Sequence, residues 1–376
     1  MSAGQNSLRS YVGRWFRPLL RSLDWQNEVV RRSRPGPADE TPPPAAVAAE
    51  NSGPFISHAD RVFGLDHLFS IDPSARLTVL DVDAGSRSTI RLGRGVYIGR
   101  QVELAAAGGG SVHVDDDTSI QDASMIFGHV IIGAHCLFGK YVFIASRGHH
   151  FQDRPAWLIR DQDRLMLAHL PPALELQKSL IRIEDDCWVG QSVFISPGVY
   201  VGRGAVIGTN AVVTTDVGPY EVHGGVPSRK IRSRLAFQPP LLVDALQEAS
   251  IPYFYRGFRL SQESLAGSRR HGIVEARAQS CLVMAPGPGS RLKLTGTRLD
   301  QVGTLQLYLR VNGTDCGRHP LAPGPFEIAV DVPAAASETD ESIPPPLRSS
   351  TYVEIEMSPS GDSPARYGIK AAALSH

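Results

Sequence analysis

The chain has 376 residues, enough for two or three domains that each bury a core. Lys+Arg and Asp+Glu both number 38, so the formal charge is zero, which argues against a polycation that binds nucleic acid by neutralising phosphates. Four cysteines without a CxxC pair (Cys136, Cys187, Cys281, Cys316) speak against a disulfide scaffold or zinc knuckle and suit a reducing, cytoplasmic setting, and no run approaches the roughly 18 apolar residues of a membrane span.

Residues 1–32 form a basic segment in which Leu8, Tyr11, Val12, Trp15, Phe16, Leu19, Leu20 and Leu23 fall at helical spacing, accompanied by Arg9, Arg14, Arg17 and Arg21. Besides disorder, this segment has two readings as an amphipathic helix. Residues 8–23 lie on the inner face of a membrane as a peripheral contact, or the helix caps the next domain or a partner subunit. Residues 33–54 are rich in Pro, Ala and acidic residues, cannot bury enough apolar surface to offset ordering, and read as a linker.

From 55 to 237 the sequence repeats every six residues. Aliphatic or aromatic residues recur at Leu92, Ile98 and Leu104, then at Val114, Ile120, Ile126, Ile132, Phe138 and Ile144, and again at Ile183, Val189, Ile195, Val201, Ile207 and Val213. Four residues after most of these stands a small or β-branched residue such as Thr118, Cys136, Cys187 or Ala205, and Gly often follows the aliphatic one. Such a period fits neither a helix nor an alternating hairpin. It fits a solenoid of short strands with a turn after each, three strands to a coil, in which the large side chain fills the interior and Gly serves a turn where a Cβ is unwelcome. Fifteen units give about five coils, six if Ile71 and Leu77 belong to an irregular first turn. Cys136 and Cys187 occupy inward slots and read as core filler.

The stretch from Ile183 to Ile231 carries an acidic pair before an indole, a P-G-V turn, an I-G-x-x-A/S-V-V-T run and a closing G-x-P-[ASC]-[KR] segment. These motifs resemble the hexapeptide-repeat acetyltransferases of the galactoside/maltose O-acetyltransferase type. The resemblance implies a left-handed parallel β-helix, a homotrimer with sites between subunits, and acetyl-CoA as cosubstrate without a metal. In that family a histidine at the mouth of an inserted loop is the general base. His149 matches it within GHHFQD, and His150 is the fallback. The resemblance further implies Gln191 as oxyanion donor through its backbone N–H, Trp188, Gly208 and Thr209 along the pantetheine arm, and Arg229 with Lys230 and Arg232 toward the CoA phosphates.

The insert 147–182 is longer than in small-sugar enzymes of this type and carries Trp157, Asp161, Asp163 and His169. Trp157 and Asp161 are candidates for lining a sugar site, since sugars prefer an aromatic face beside carboxylates; the apolar residues of the insert equally suit packing on a coil or subunit. A neighbouring carboxylate orienting His149 is expected but not identified. His113, His129, His135, His149 and His150 raise a metal reading, as in γ-class carbonic anhydrases, but His129 and His135 fall on outward turns of successive faces.

After an amphipathic segment at Leu241–Ala249, alternation at Leu292/Leu294, Leu305–Val311, Phe326–Val330 and Val353–Met357, bounded by Asn312-Gly313, Pro323-Gly324 and Ser360-Gly361, predicts an antiparallel β-sandwich over 250–376. Its role is either glycan binding or structural support. The expected whole is therefore an all-β chain that acetylates a sugar hydroxyl of a surface glycan or its precursor. N-acetylation of an amino sugar and a non-catalytic glycan-binding scaffold are the alternatives.

Overall fold

A computed structural model describes residues 53–80, 87–152, 154–169, 179–287, 290–300, 305–333, 343–359 and 366–375. The basic segment 8–23 and most of the linker lie outside the described residues, as does the insert from 170 to 178.

Residues 55 to 224 form a left-handed parallel β-helix with three faces. The first face stacks seven strands, from Phe55–Ile56 through Met125–Phe127, Phe143–Ala145 and Phe194–Ile195 to Val212–Val213. The second stacks six, ending on Ile181–Ile183 and Tyr200–Val201. The third stacks eight and includes Leu137–Phe138, Trp188–Val189, Val206–Ile207 and Glu221–Gly224. Register is kept from coil to coil, Leu104 pairing with Ile126, Ile126 with Ile144 and Ile144 with Ile195. The repeating aliphatic positions therefore superpose into columns, and they are buried throughout.

The turn chemistry follows from the stacking. The residue before most of the small inward side chains adopts a left-handed conformation, among them Gln101, Asp117, His135, Asp186, Ser192 and Asn210. The recurrent Gly is required for a different reason: a Cβ at Gly190 would stand 2.7 Å from the Thr209 amide nitrogen, because the next coil's backbone lies directly against it. Cys136 and Cys187 fill the interior as read from the sequence, and burial pushes the Cys136 thiol well above its usual range.

Ile71 and Leu77 do belong to the early turns of the solenoid, which extends beyond the five coils of the regular repeat. Its first turn is built from Phe55–Ile56, Val62–Phe63 and Ser70–Ile71, and the last closes through the Val201–Val217 bridge and Glu221–Gly224. Two short 3-10 turns, Ala59–Arg61 and Leu65–His67, break the six-residue spacing at the start, so those units have no periodic signature.

The C-terminal strands form one nine-stranded antiparallel sheet. The long strand Val274–Met284 pairs through Val274–Ala276 with the strand Tyr367–Ser375 and through Gln279–Met284 with the strand Thr351–Pro359. It thus joins two halves that share one core, Leu305, Leu307 and Val353 from one half with Leu292, Leu294 and Ile369 from the other. The Asn-Gly signal is a tight hairpin between Leu305–Val311 and Thr314–Leu321, with φ of 50° at Asn312 and 78° at Gly313. The amphipathic segment after residue 240 supplies an edge strand, Leu242–Asp244, paired with Ala371–Ala373.

This sheet docks on the corner between the second and third faces of the β-helix. Glu184 and Asp185, at that corner, are 1% and 2% exposed. The Arg256 guanidinium donates to Glu184 at 3.0 Å and also lies 3.6 Å from Glu354, which ties the helix to the sheet. Asp185 accepts from the amides of Ala134 and Gly257 and from Arg203. Tyr255 completes the joint, its hydroxyl 2.7 Å from that of Tyr200 and its carbonyl accepting from Arg203 at 3.0 Å. Two turns of the solenoid away, Arg277 lies 2.8 Å from Asp115.

Candidate active site

The insert leaves the β-helix at the corner between the first and second faces. Strand Phe143–Ala145 lies between Met125–Phe127 and Phe194–Ile195, and its outward Phe143 ring stacks on Phe194 at 5.7 Å. Ser146 turns inward, its hydroxyl accepting the His129 amide at 2.7 Å, and the chain then carries His149 and His150 out beyond the corner.

Helix α1, Ile159–His169, follows. Asp161 in its first turn favours the helix through the macrodipole. Gln162 is buried and fastens the approach to the helix: its Oε1 accepts the Arg154 amide at 3.0 Å and its Nε2 donates to the Trp157 carbonyl at 3.3 Å. The next residue, Asp163, faces the two histidines. Its Oδ2 accepts from His149 Nδ1 at 2.7 Å, and its Oδ1 accepts the His150 amide at 2.8 Å. The carboxylate thus holds both the ring of His149 and the backbone that follows it.

A carboxylate only accepts, so Nδ1 carries the proton and the neutral ring keeps its lone pair on Nε2. The His149 side chain is 61% exposed, which leaves Nε2 open to an incoming group. The sequence could not single out Asp163, because it lies 14 residues from His149 and only the fold of α1 brings it back.

Trp157 and Asp161 sit on the same insert without bonding His149. The Arg154 guanidinium lies 4.5 Å above the Trp157 ring, and Asp161 pairs with Arg164 at 3.5 Å. The side chain of His169 lies outside the described residues.

The residues expected along a CoA arm gather on the third face and its corner with the first. Trp188 pairs in register with Leu137 on one side and Val206 on the other, and both large side chains point outward and are exposed. Gln191 and Thr209 occupy equivalent turns of successive coils, and the Gly208 amide donates to the His223 carbonyl at 2.8 Å. Strand Arg229–Ser233 runs antiparallel to Glu221–Gly224 and closes this face. Arg229 donates to the Ser228 carbonyl, and Lys230 reaches Glu221 at 2.6 Å. Burial alone would raise the Glu221 carboxyl, but Lys230, His223 and the Gly218 amide hold it below its ordinary range.

Within one chain these two groups stand apart. Gln191 precedes the first-face strand Phe194–Ile195, whereas His149 follows the adjacent first-face strand Phe143–Ala145. The parallel pairing places them beyond opposite edges of that face. His129 and His135, weighed as metal ligands, have separate partners, Ser111 and Asp117. Among the described residues no group of three or more His, Cys, Asp or Glu side chains is set to hold a metal, and no helix is long and apolar enough to cross a membrane.

Comparison with known proteins places residues 181–215 in a match to the family model "Bacterial transferase hexapeptide (six repeats)". No curated protein matches the chain. Among solved structures, PerB from Caulobacter crescentus, crystallised with CoA and GDP-perosamine, is 20% identical with a TM-score of 0.29, over 43% of this chain and 56% of PerB. The chain thus spans little more than half the length of that protein. A hexapeptide-repeat acetyltransferase from Vibrio cholerae is 24% identical with a TM-score of 0.26, over 43% of this chain and 72% of that one. A maltose O-acetyltransferase from Clostridium difficile is 20% identical with a TM-score of 0.25, over 46% of this chain and 72% of that one.

Proposed function

We propose that the protein is an acetyl-CoA-dependent O-acetyltransferase that modifies a sugar hydroxyl of a glycan or glycan precursor, with His149 as the general base. The observation that carries this reading is the His149–Asp163 pair, a hydrogen bond of 2.7 Å from Nδ1 with the rest of the imidazole exposed. The motifs from Ile183 to Ile231 supply the transferase class.

Nε2 of His149 takes the proton of the acceptor hydroxyl as its oxygen attacks the thioester carbonyl. The imidazolium so formed returns that proton to the departing CoA thiolate. Asp163 contributes twice: it fixes the tautomer that leaves Nε2 basic, and its negative charge offsets the imidazolium. Trp157 and Asp161 offer a ring face and a carboxylate on the acceptor side of the insert. On the donor side, Trp188, Gly208 and Thr209 line the arm, Arg229 and Lys230 meet the phosphates, and the Gln191 amide faces the carbonyl oxygen that gains charge. A homotrimer is part of this reading. The first face separates His149 from Gln191 within one chain, so a second copy must bring its donor-side corner to the insert.

The test is acceptor-dependent release of CoA thiol from acetyl-CoA over sugars, amino sugars, nucleotide sugars and oligosaccharides, for wild type and His149→Ala. Release that depends on a hydroxyl acceptor and falls at least about a hundredfold in the variant supports the reading. Release confined to amino sugars replaces the hydroxyl by an amine, and release unchanged in the variant removes His149 as base.

A further inference from the structure

The second face of the β-helix carries a charged strip beside the insert. Its outward residues stack in one column: Phe63 pairs with Arg91, Arg91 with His113, His113 with Ile131, Ile131 with Arg182 and Arg182 with Tyr200. Adjacent strands lie about 4.8 Å apart, so Arg91 and Arg182 bracket roughly 14 Å of this face.

Two corners border the strip. On one side the insert leaves after Ser146 and returns at Ile181, whose amide donates to the His129 carbonyl at 3.1 Å. On the other side the C-terminal sheet is docked, with Arg277 answering Asp115 and Asp116 at 2.8 and 3.4 Å. Along the stack the strip is open at Phe63, which is 42% exposed, and stops at Tyr200, which is buried beneath Tyr255. Arg182, the last outward residue before that stop, belongs to the same coil as Phe143–Ala145, the strand from which the chain runs on to His149.

The column holds two guanidiniums and no carboxylate. Arg91 is exposed and lies 4.7 Å over the Phe63 ring, Arg182 is half-buried, and neither has an ion-pair partner among the described residues. Elsewhere on the solenoid such charges are answered, Arg100 by Asp122 and Lys230 by Glu221. Burial holds the His113 ring below its ordinary pKa, and Arg91 and Arg182 both add to this against the pull of Asp115 and Asp116. Both positive charges therefore reach the middle of the strip. Nearer the insert, Thr89 and Ser111 pair in register and are half-buried, and the Ser111 amide donates to His129 Nδ1 at 3.1 Å, which puts the proton of the neutral ring on Nε2.

We infer that this strip docks the acceptor and that the acceptor is an acidic glycan, its carboxylates or phosphodiesters held by Arg91 and Arg182 while a neighbouring sugar reaches the insert. Guanidinium forks match the paired oxygens of either group, and a strip of one sign between two walls concentrates a chain of the opposite sign. The role as acceptor rests on the proposed transfer reaction; the binding of an acidic glycan does not.

The experiment is a calorimetric titration of the full chain, without acetyl-CoA, with oligogalacturonates, alginate oligosaccharides and phosphomannan oligosaccharides. Each uronate series is run beside the same oligosaccharide with its carboxyls reduced to alcohols. Saturable binding of at least one acidic series is expected, at least about tenfold tighter than binding of its uncharged counterpart and weakened by salt. Arg91→Gln and Arg182→Gln each weaken it at least about tenfold, and Arg182→Lys, which keeps the charge without the fork, falls between. Melting curves check that the variants fold. Absence of binding in every acidic series overturns the inference, as does equal affinity for charged and uncharged chains. Binding that survives both glutamine variants and vanishes in Arg232→Gln overturns it by moving the site to the closing strand. If uridine diphosphate binds in an Arg182-dependent way and no oligosaccharide does, the strip reads a nucleotide and the inference falls. Acidic-glycan binding lost in Arg182→Gln, with no thiol release from any acceptor, upholds the strip and removes the transfer reading alone.

Discussion

Two corners of the β-helix place a carboxylate against a cationic or protonatable partner, and they use the pairing in opposite ways. Between the second and third faces, Glu184 and Asp185 are almost fully buried and every contact is internal: Arg256, Arg203 and backbone amides surround them. Between the first and second faces, Asp163 holds His149 just as closely, but the imidazole is largely open to solvent. Buried, a charge pair is committed to a joint, because losing either partner leaves an uncompensated charge in a dry environment. Exposed on one side, the same pairing leaves a ring nitrogen open to an incoming group, as the proposed reaction requires. Burial of the partner decides between architecture and chemistry.

The comparison breaks most readily at the buried corner. Arg256→Ala strands Glu184 and is expected to cost about 3–5 kcal/mol of stability, read from the urea midpoint, while thiol release per folded molecule is retained. The double variant Glu184→Gln with Arg256→Met recovers most of that loss; a single variant as stable as wild type would show that the pair does not join the two parts.

The reverse pattern is expected at the exposed corner. His149→Ala lowers acceptor-dependent thiol release by at least about a hundredfold, with stability unchanged to within about 0.5 kcal/mol. Asp163→Asn keeps a hydrogen-bond acceptor for Nδ1 but loses the charge. Its cost of about 2 kcal/mol corresponds to roughly thirtyfold in kcat, and equal kcat in both proteins would leave Asp163 a purely structural residue of α1.

The smallest effect concerns pH. Burial, with Arg91 and Arg182 nearby, holds His113 below its ordinary range against the opposing pull of Asp115 and Asp116. Its folded pKa is depressed relative to about 6.5 in the unfolded chain. The stability it contributes is therefore complete above that value and is lost as pH falls through the folded pKa. Melting curves between about pH 7 and 5 should show this decline, and His113→Gln should make it shallower; an unchanged slope would place the acid sensitivity elsewhere.

Legibility in the sequence tracked the range over which each feature is specified. The inward columns, from Leu92 to Val213, were readable because every coil repeats the same steric problem within six residues. The first turn was not, since its 3-10 segments interrupt the spacing. In the C-terminal sheet, strands with strict alternation and an Asn-Gly hairpin were visible. The long strand Val274–Met284 was hidden: it serves both halves and its exposure pattern shifts midway. At the candidate site His149 and the insert were legible, but its aspartate partner was not. The acidic pair before the indole was noticed as a motif, yet the role of Glu184 and Asp185 as anchors needed Arg256, 72 residues after Glu184.

The amino-acid sequence alone determined the solenoid, because the period of large, small and glycine positions is a local steric requirement that each coil meets against its neighbour. It also determined where the solenoid is interrupted by the insert. Only the tertiary structure decided which carboxylate holds His149, which corner receives the C-terminal sheet, and how that sheet's strands are ordered. Those outcomes depend on groups distant in the chain finding one another, and the free energy of burying or exposing a charge is set by what surrounds it after folding.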